Sequence, residues 1–133
     1  MDKQLTMMET VFQALGDATR LRILGLLLTG EVCVCHIHES LLVSQPKASR
    51  HLAYLRRAGL VDTRRQGLRV YYRLSASADP VIGTIRGVVT HALGHVAIIR
   101  SDARRLQKKT GCCLPSTTRS ATFACCSGDT ACQ

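Results

Sequence analysis

Apolar side chains fall three and four residues apart at the start of the chain. Leu5, Met8, Phe12 and Leu15 make one stripe, the spacing of an amphipathic helix. Asp17 is suited to cap a second helix, whose Ile23, Leu24, Leu27 and Leu28 face inward and which stops at Thr29-Gly30. Residues 33–42 read as a short third helix, followed by a Val43-Ser44 turn. Ser44 then caps a fourth helix over residues 45–58, with Pro46 in the first turn, where proline is tolerated. Ala48, Leu52 and Leu55 form its inward stripe, and Gly59 closes it. Residues 60–65 and 69–74 are β-prone runs around Gln66-Gly67-Leu68, which predicts a hairpin.

From Asp79-Pro80 the pattern predicts one long helix. Ile82, Ile85, Val89, Ala92, Val96, Ile99, Ala103 and Leu106 continue a seam of threes and fours along it. A helix this long carries more apolar surface than so small a domain can cover. Ile82, Ile85, Val89, Ala92, Val96 and Ile99 are therefore assigned to a dimer interface rather than to the core of one chain. Gly83, Gly87 and Gly94 weaken the helix but permit close approach of a partner. The expected architecture is mostly α with a small β-hairpin: a dimeric winged helix-turn-helix in the order α-α-α-α-β-β-α. Patterning lapses after residue 109, so residues 1–109 form the domain and residues 110–133 a Cys-rich flexible tail.

Charge turns this generic helical domain into a reader of polyanions. The 133-residue chain carries a formal net charge of +9. Lys47, Arg50, Arg56, Arg57, Arg64, Arg65, Arg69 and Arg73 crowd residues 44–73 against the single acid Asp62. A second basic run, residues 100–109, contains only Asp102. Because the first run coincides with the fourth helix and hairpin, nucleic acid is favoured over a merely solvated face. The second helix of a helix-turn-helix puts its N-terminal residues against base edges. Here those are Ser44, Gln45, Lys47, Ser49, Arg50 and His51. Gln and Arg can pair with adenine and guanine, while Ser and Lys can hold phosphate. Arg64, Arg65 and Arg69 on the wing are expected along the backbone or an adjacent minor groove.

Cysteine use adds chemistry. No run approaches the roughly 18 apolar residues of a membrane span, and MDKQLTMMET lacks the core of a signal peptide. The expected compartment is the cytoplasm, where the chain's seven cysteines stay reduced. Clustered thiols in such a place bind metal or do redox work more often than they form a disulfide framework.

The run ALGDATRLRILGLLLTGEVCVCHIHESLLVSQPKASRHLAYLRRAGLVDTRRQGLRVYYRLS resembles the winged-helix domain of the ArsR/SmtB family of metal-sensing repressors. SQPKASRHLAYLRRAGLV and EVCVC most resemble the arsenic- and antimony-responsive branch. The resemblance implies a homodimer, joined through its first and last long helices, that holds double-stranded operator DNA when metal-free. It implies dissociation when thiolates bind arsenite or antimonite as inducer, with no organic cofactor and no membrane partner. The branch carries Cys-Val-Cys and a third cysteine three residues on. Cys33 and Cys35 match the first two, but His38 stands at the third position. Three completions stay open: water or hydroxide, a tail thiol from Cys112 or Cys113 of either subunit, or a mixed site with a histidine such as His38. The last suits zinc, cadmium or lead better than arsenic, which prefers sulfur. Residues two apart on an ideal helix do not face each other. One atom bonded to both Cys33 and Cys35 thus requires a non-helical start or a distorted third helix. Some family members sense arsenic with a vicinal pair after the last helix, so Cys112-Cys113 is also a rival main site. Cys125-Cys126 and Cys132 lie further along.

Competing readings are weaker. The Cys113 to Arg119 spacing matches phosphatase-like arsenate reductases, but it follows a helix and lacks the glycine of an oxyanion-cradling loop. A thiol-rich metal buffer has no use for the basic helix and wing. His91 and His95 lie one helical turn apart without the acidic partner of a zinc site on that helix, and His36 is expected to be exposed.

Overall fold

The computed structural model describes residues 2–76 and 79–109. Four helices, α1 (Lys3–Leu15), α2 (Ala18–Leu27), α3 (Val34–Leu41) and α4 (Gln45–Arg57), precede the hairpin of β2 (Val61–Gln66) and β3 (Arg69–Leu74). A two-residue strand, β1 (Val32–Cys33), lies between α2 and α3, and α5 (Pro80–Leu93) and α6 (Ala97–Lys109) complete the domain. The sheet is antiparallel in the order β1-β3-β2, with Cys33 opposite Tyr71 and Arg64 opposite Tyr71 on its other side. This is the winged helix-turn-helix expected from the pattern.

The helix starts follow from side chains that accept the otherwise unpaired first amides. Asp17 accepts from the backbone N–H of Thr19 and Arg20 at 2.8 and 3.2 Å. Ser44 accepts from the Lys47 N–H at 3.3 Å, and Asp79 from the Val81 and Ile82 N–H. Leu42, the residue after α3, takes a left-handed conformation (φ 62°), which reverses the chain into the short turn before α4. Ile23, Leu24, Leu27, Ile37, Leu41, Leu52, Leu55 and Leu60 build one core under both helices of the motif.

Three expectations are corrected. Leu28 does not face inward; it is 39% exposed after the end of α2. β1 was not foreseen, because two residues carry no periodicity. Most consequential, the single long helix is two. α5 and α6 meet at 85° across Gly94, His95 and Val96. The bend sends the seam in two directions. Ile82 packs in the core from α5, while Ile99 and Leu106 pack there from α6, all within one protomer. Ile82 and Ile99 are 6% and 4% exposed, so neither offers a partner any surface. Ala92 and Val96 lie exposed at the bend, and Ile85 and Val89 are partly buried against the core. No single helix among the described residues is long and apolar enough to cross a membrane.

Glycine permits the return of α6. A Cβ on Gly25 of α2 would stand 2.4 Å from Ile99 Cγ2, so the helices meet where no side chain intervenes. Asp102 then closes the contact. Fully buried, it accepts from Arg22 at 2.8 and 2.9 Å and from Arg105 at 2.5 Å. The same guanidinium groups donate to the last turn of α3: Arg22 to Leu41 O at 3.2 Å, and Arg105 to Ser40 O at 2.7 Å. Charge-assisted bonds thus tie α2, α3 and α6 together.

Candidate functional site

The outer face of α4 carries Gln45, Lys47 and Arg50 in the open, with Ser44 exposed just before them and Ser49 half-buried among them. Their exposure follows from register, since Ala48, Leu52 and Leu55 take the buried stripe. His51 differs from expectation. It is half-buried, its Nδ1 lies 3.2 Å from the Arg20 guanidinium, and burial pushes its pKa below the ordinary value. Arg20 also stacks 4.1 Å over the Tyr54 ring, so His51 belongs to a brace between α2 and α4.

The wing arginines divide. Arg65 is exposed. Arg64 is committed within the protomer: it donates to both Glu31 carboxylate oxygens at 2.7 and 2.9 Å and lies over the Tyr71 ring. Arg69 turns to sulfur, with Nη1 3.6 Å from Cys35 Sγ and 3.9 Å from Cys33 Sγ. Arg64 and Arg69 therefore have partners other than the phosphate backbone expected for them.

Cys33 and Cys35 come together. Cys33 ends β1 in extended backbone (φ −73°, ψ 145°) and is the N-cap residue of α3, while Cys35 sits in the first turn. The non-helical start brings the sulfurs to 3.1 Å as free thiols, with no distortion of α3. The Cys35 hydrogen bond, the Arg69 guanidinium and the nearby His36 hold the Cys33 thiol down at about 5, against the desolvation of burial. Cys35 moves the opposite way, because it supplies the proton to that bond and faces the charge so formed. The pair behaves as one thiolate and one thiol.

Of the two neighbouring histidines, His36 departs from expectation, while the sequence leaves His38 open. His36 is buried at 2% exposure rather than exposed. His38 faces the far end of α3, its Nδ1 3.2 Å from Val43 O, and is not brought to the sulfurs. Among the described residues no group of three or more His, Cys, Asp and Glu forms a metal-binding cluster. Cys112 and Cys113 lie outside the described residues, as do the rest of the tail and the Cys113 to Arg119 motif. His91 and His95 stand edge to face at 5.2 Å on the exposed side of the bend.

The sulfurs open into a cavity of about 700 Å³. Its walls come from both elements expected to meet DNA: Gln45 at the start of α4, and residues 66–71 of the wing. Sequence reasoning had placed the thiols, the recognition helix and the wing separately. It missed Arg69 as a partner of sulfur and Asp102 as the core of a clamp. For Asp102 a signal existed: it is the only acid in a basic run and shares a face with Ile99 and Leu106.

A helix-turn-helix presented beside a β-wing, over a cavity lined by two thiols, defines the fold of a DNA-reading regulator. The chain matches the bacterial regulatory protein arsR family over residues 17–63. It is 48% identical over 81 residues to the arsenic resistance transcriptional regulator ArsR1 of Pseudomonas putida, covering 59% of this chain and 63% of that one. It is 54% identical over 66 residues to the arsenical resistance operon repressor of Escherichia coli, covering 49% and 56%. The chain thus spans less than two thirds of the length of these relatives. Among solved structures, a homodimeric winged helix-turn-helix DNA-binding domain from Mycobacterium bovis aligns with TM-score 0.59 and 31% identity, over 73% of this chain and 90% of that one. This chain belongs to the ArsR family, a family of transcriptional regulators and not of enzymes.

Proposed function

We propose that this protein is a homodimeric repressor that holds duplex operator DNA when its thiols are free and releases it when Cys33 and Cys35 capture trivalent arsenic or antimony. The observation that carries the reading is the shared cavity, in which the two sulfurs, Gln45 and the wing tip line one space. A ligand bonded to both sulfurs displaces the Arg69 contact and presses on both DNA-reading elements at once. Thiolate preference favours arsenic and antimony over harder ions. Among the described residues a closed four-ligand zinc or cadmium site finds no cluster of three or more ligands, and His38 is turned away from the sulfurs.

Ser44, Gln45, Lys47, Ser49 and Arg50 read the major groove, and Arg65 follows the backbone; His51 braces the helix from behind. Dimerisation uses the apolar surface left uncovered on the first and last helices. Leu5 and Phe12 of α1 are 59% and 55% exposed, and Val88 of α5 is 66% exposed. Ile85 and Val89 flank that surface, and Ala92 and Val96 extend it to the bend. Such a row is what a two-fold partner would bury. The relatives named for arsenic resistance support the inducer class.

The test uses duplexes selected from a random pool by the metal-free protein. Arsenite and antimonite release them from the wild type, measured by fluorescence anisotropy, and cadmium and zinc do so only at higher concentration. Cys33→Ser with Cys35→Ser keeps DNA affinity and abolishes release. Release that survives in this variant but is lost in Cys112→Ser with Cys113→Ser moves the trigger to the tail.

A further inference from the structure

One ring on α4 is held in a single protonation state by its neighbour. The Nδ1 of His51 lies 3.2 Å from Nη1 of Arg20 on α2. A guanidinium nitrogen only donates, so the imidazole nitrogen that faces it accepts. His51 is therefore neutral in this arrangement, with its one ring proton on Nε2. The residue before it is Arg50, an exposed reader, and the residue after it is Leu52, which is fully buried. The ring thus sits where the reading face of α4 meets the packed one.

Arg20 is anchored on three further sides. Its Nε donates to Ala14 O at 2.7 Å and its Nη2 to Gln13 O at 3.2 Å, both in the last turn of α1. Its guanidinium also lies 4.1 Å over the ring of Tyr54, one turn along α4 from His51. A proton on Nδ1 sets two cations against each other, and the imidazole is the partner that must swing away. Its surroundings resist that proton. Burial is the first cause of the low His51 pKa, and Arg20 of α2 with Lys47 and Arg50 of α4 add to it. Asp17, the cap of α2, pulls the other way.

We infer that His51 is a positioning residue whose neutral ring, accepting from Arg20, seats α4 for DNA reading, so that protonation of this one ring weakens operator binding. The inference rests on the DNA-reading role proposed above and adds a regulation to it. Its sign is the reverse of the ordinary one. A histidine that touches a polyanion gains affinity as it becomes charged. Here the neutral form is the competent one, and its share falls as pH falls. The apparent affinity falls with that share. For a group that ionises below 6.5, the loss at pH 5.5 is bounded at roughly tenfold.

The experiment uses the full metal-free chain and a duplex selected by it from a random pool at pH 8. Anisotropy titrations at constant ionic strength run from pH 8 to pH 5.5 on the wild type, His51→Asn and His51→Leu, each first shown to be folded by its urea midpoint. Asn carries an oxygen near the place of Nδ1 and does not titrate; Leu carries no acceptor. Wild-type affinity should fall severalfold relative to His51→Asn between pH 8 and pH 5.5. Groups common to both proteins, the Cys33 thiol among them, cancel in that comparison. His51→Leu should bind more weakly than His51→Asn at every pH. In the DNA-free wild type at pH 8, nitrogen NMR of the ring should report the Nε2–H tautomer. Wild-type affinity that rises relative to His51→Asn as pH falls would make His51 a cation on the phosphates and overturns the inference. Parallel profiles in the two proteins, or an Nδ1–H tautomer, overturn it as well, and both leave the DNA-reading role standing. A pool from which the wild type selects no duplex at pH 8 sinks that role itself.

Discussion

The two ends of α3 are fastened by opposite means. Its last turn is gripped by ions: Arg22 and Arg105 hold Ser40 O and Leu41 O while both grip the buried Asp102. Its first turn is held by soft and long contacts, a 3.1 Å sulfur pair and an Arg69 guanidinium 3.6 Å away, at the mouth of a cavity. One end is set, through α2 and α6, to the body of the domain. The other packs Val34 and Ile37 on the core, but its two sulfurs turn to the wing. A ligand at the sulfurs therefore acts on the wing and on the start of α4, and the turn between α3 and α4 stays anchored. This differs from a lever in which the whole of α3 tilts and carries the recognition helix with it.

The clamp should give the largest effect when broken. Asp102→Ala leaves two guanidinium groups, 20% and 33% exposed, beside an apolar core without their anion. Removing one member of such a buried cluster typically costs about 3 kcal/mol or more, read as a lower urea midpoint at unchanged slope. Below the transition the alkylation rate of Cys33 should stay within about twofold of wild type. A large change in that rate would show that the two ends are coupled and that the contrast between them is false.

Gly25→Ala attacks the same anchor by shape. Its new methyl group meets Ile99 Cγ2 at 2.4 Å, so α6 must shift or Ile99 must turn. Overpacking of this kind costs about 1–3 kcal/mol. Adding Ile99→Ala should return part of it, a non-additivity expected only of residues in contact. Additive losses in that double mutant would mean that α2 and α6 do not meet at this point.

Much of this was legible in the sequence. The cap at Asp17, the buried stripe of Ala48, Leu52 and Leu55, and the glycine-bearing turn of the hairpin each rest on local chemistry, and each lies where local chemistry puts it. The break after Leu93 was not legible, because the apolar seam runs through it without a change of phase. What decides the bend is tertiary: Ile99, Asp102 and Leu106 find a better surface on α2 and α3 than a straight helix could reach. The arginines were misread for a related reason. Sequence shows a charge but not its nearest partner, and the partners of Arg64 and Arg69 lie more than thirty residues away, at Glu31 and at the two cysteines. The thiol pair itself was readable from spacing. The cavity beside it was not, since its walls come from three separate elements.

The smallest expected loss of stability comes from the soft end, where the expected change in reactivity is large. Cys35→Ala removes the hydrogen bond that is the main cause of the low Cys33 value. Stability should change by about 1 kcal/mol or less, since Cys35 is only half-buried and its sulfur bonds are weak ones. The sign of the pH effect follows from the direction of the shift. A thiol held down at about 5 is ionised at neutral pH and loses its charge as pH falls through that value. Wild-type alkylation by iodoacetamide should therefore be flat from pH 9 to about pH 6 and fall below it. In Cys35→Ala the fall should begin at much higher pH, with the residue 35 backbone N–H, Arg69 and His36 still resisting it, and at pH 6 the rate should drop by about tenfold or more. Arg69→Gln should move the profile in the same direction by less, because its hydrogen bond ranks behind that of Cys35. If Arg69→Gln moved it more than Cys35→Ala did, the wing and not the second thiol would hold the charge. The soft end would then be fastened by an ion pair after all, and the contrast between the two ends of α3 would collapse.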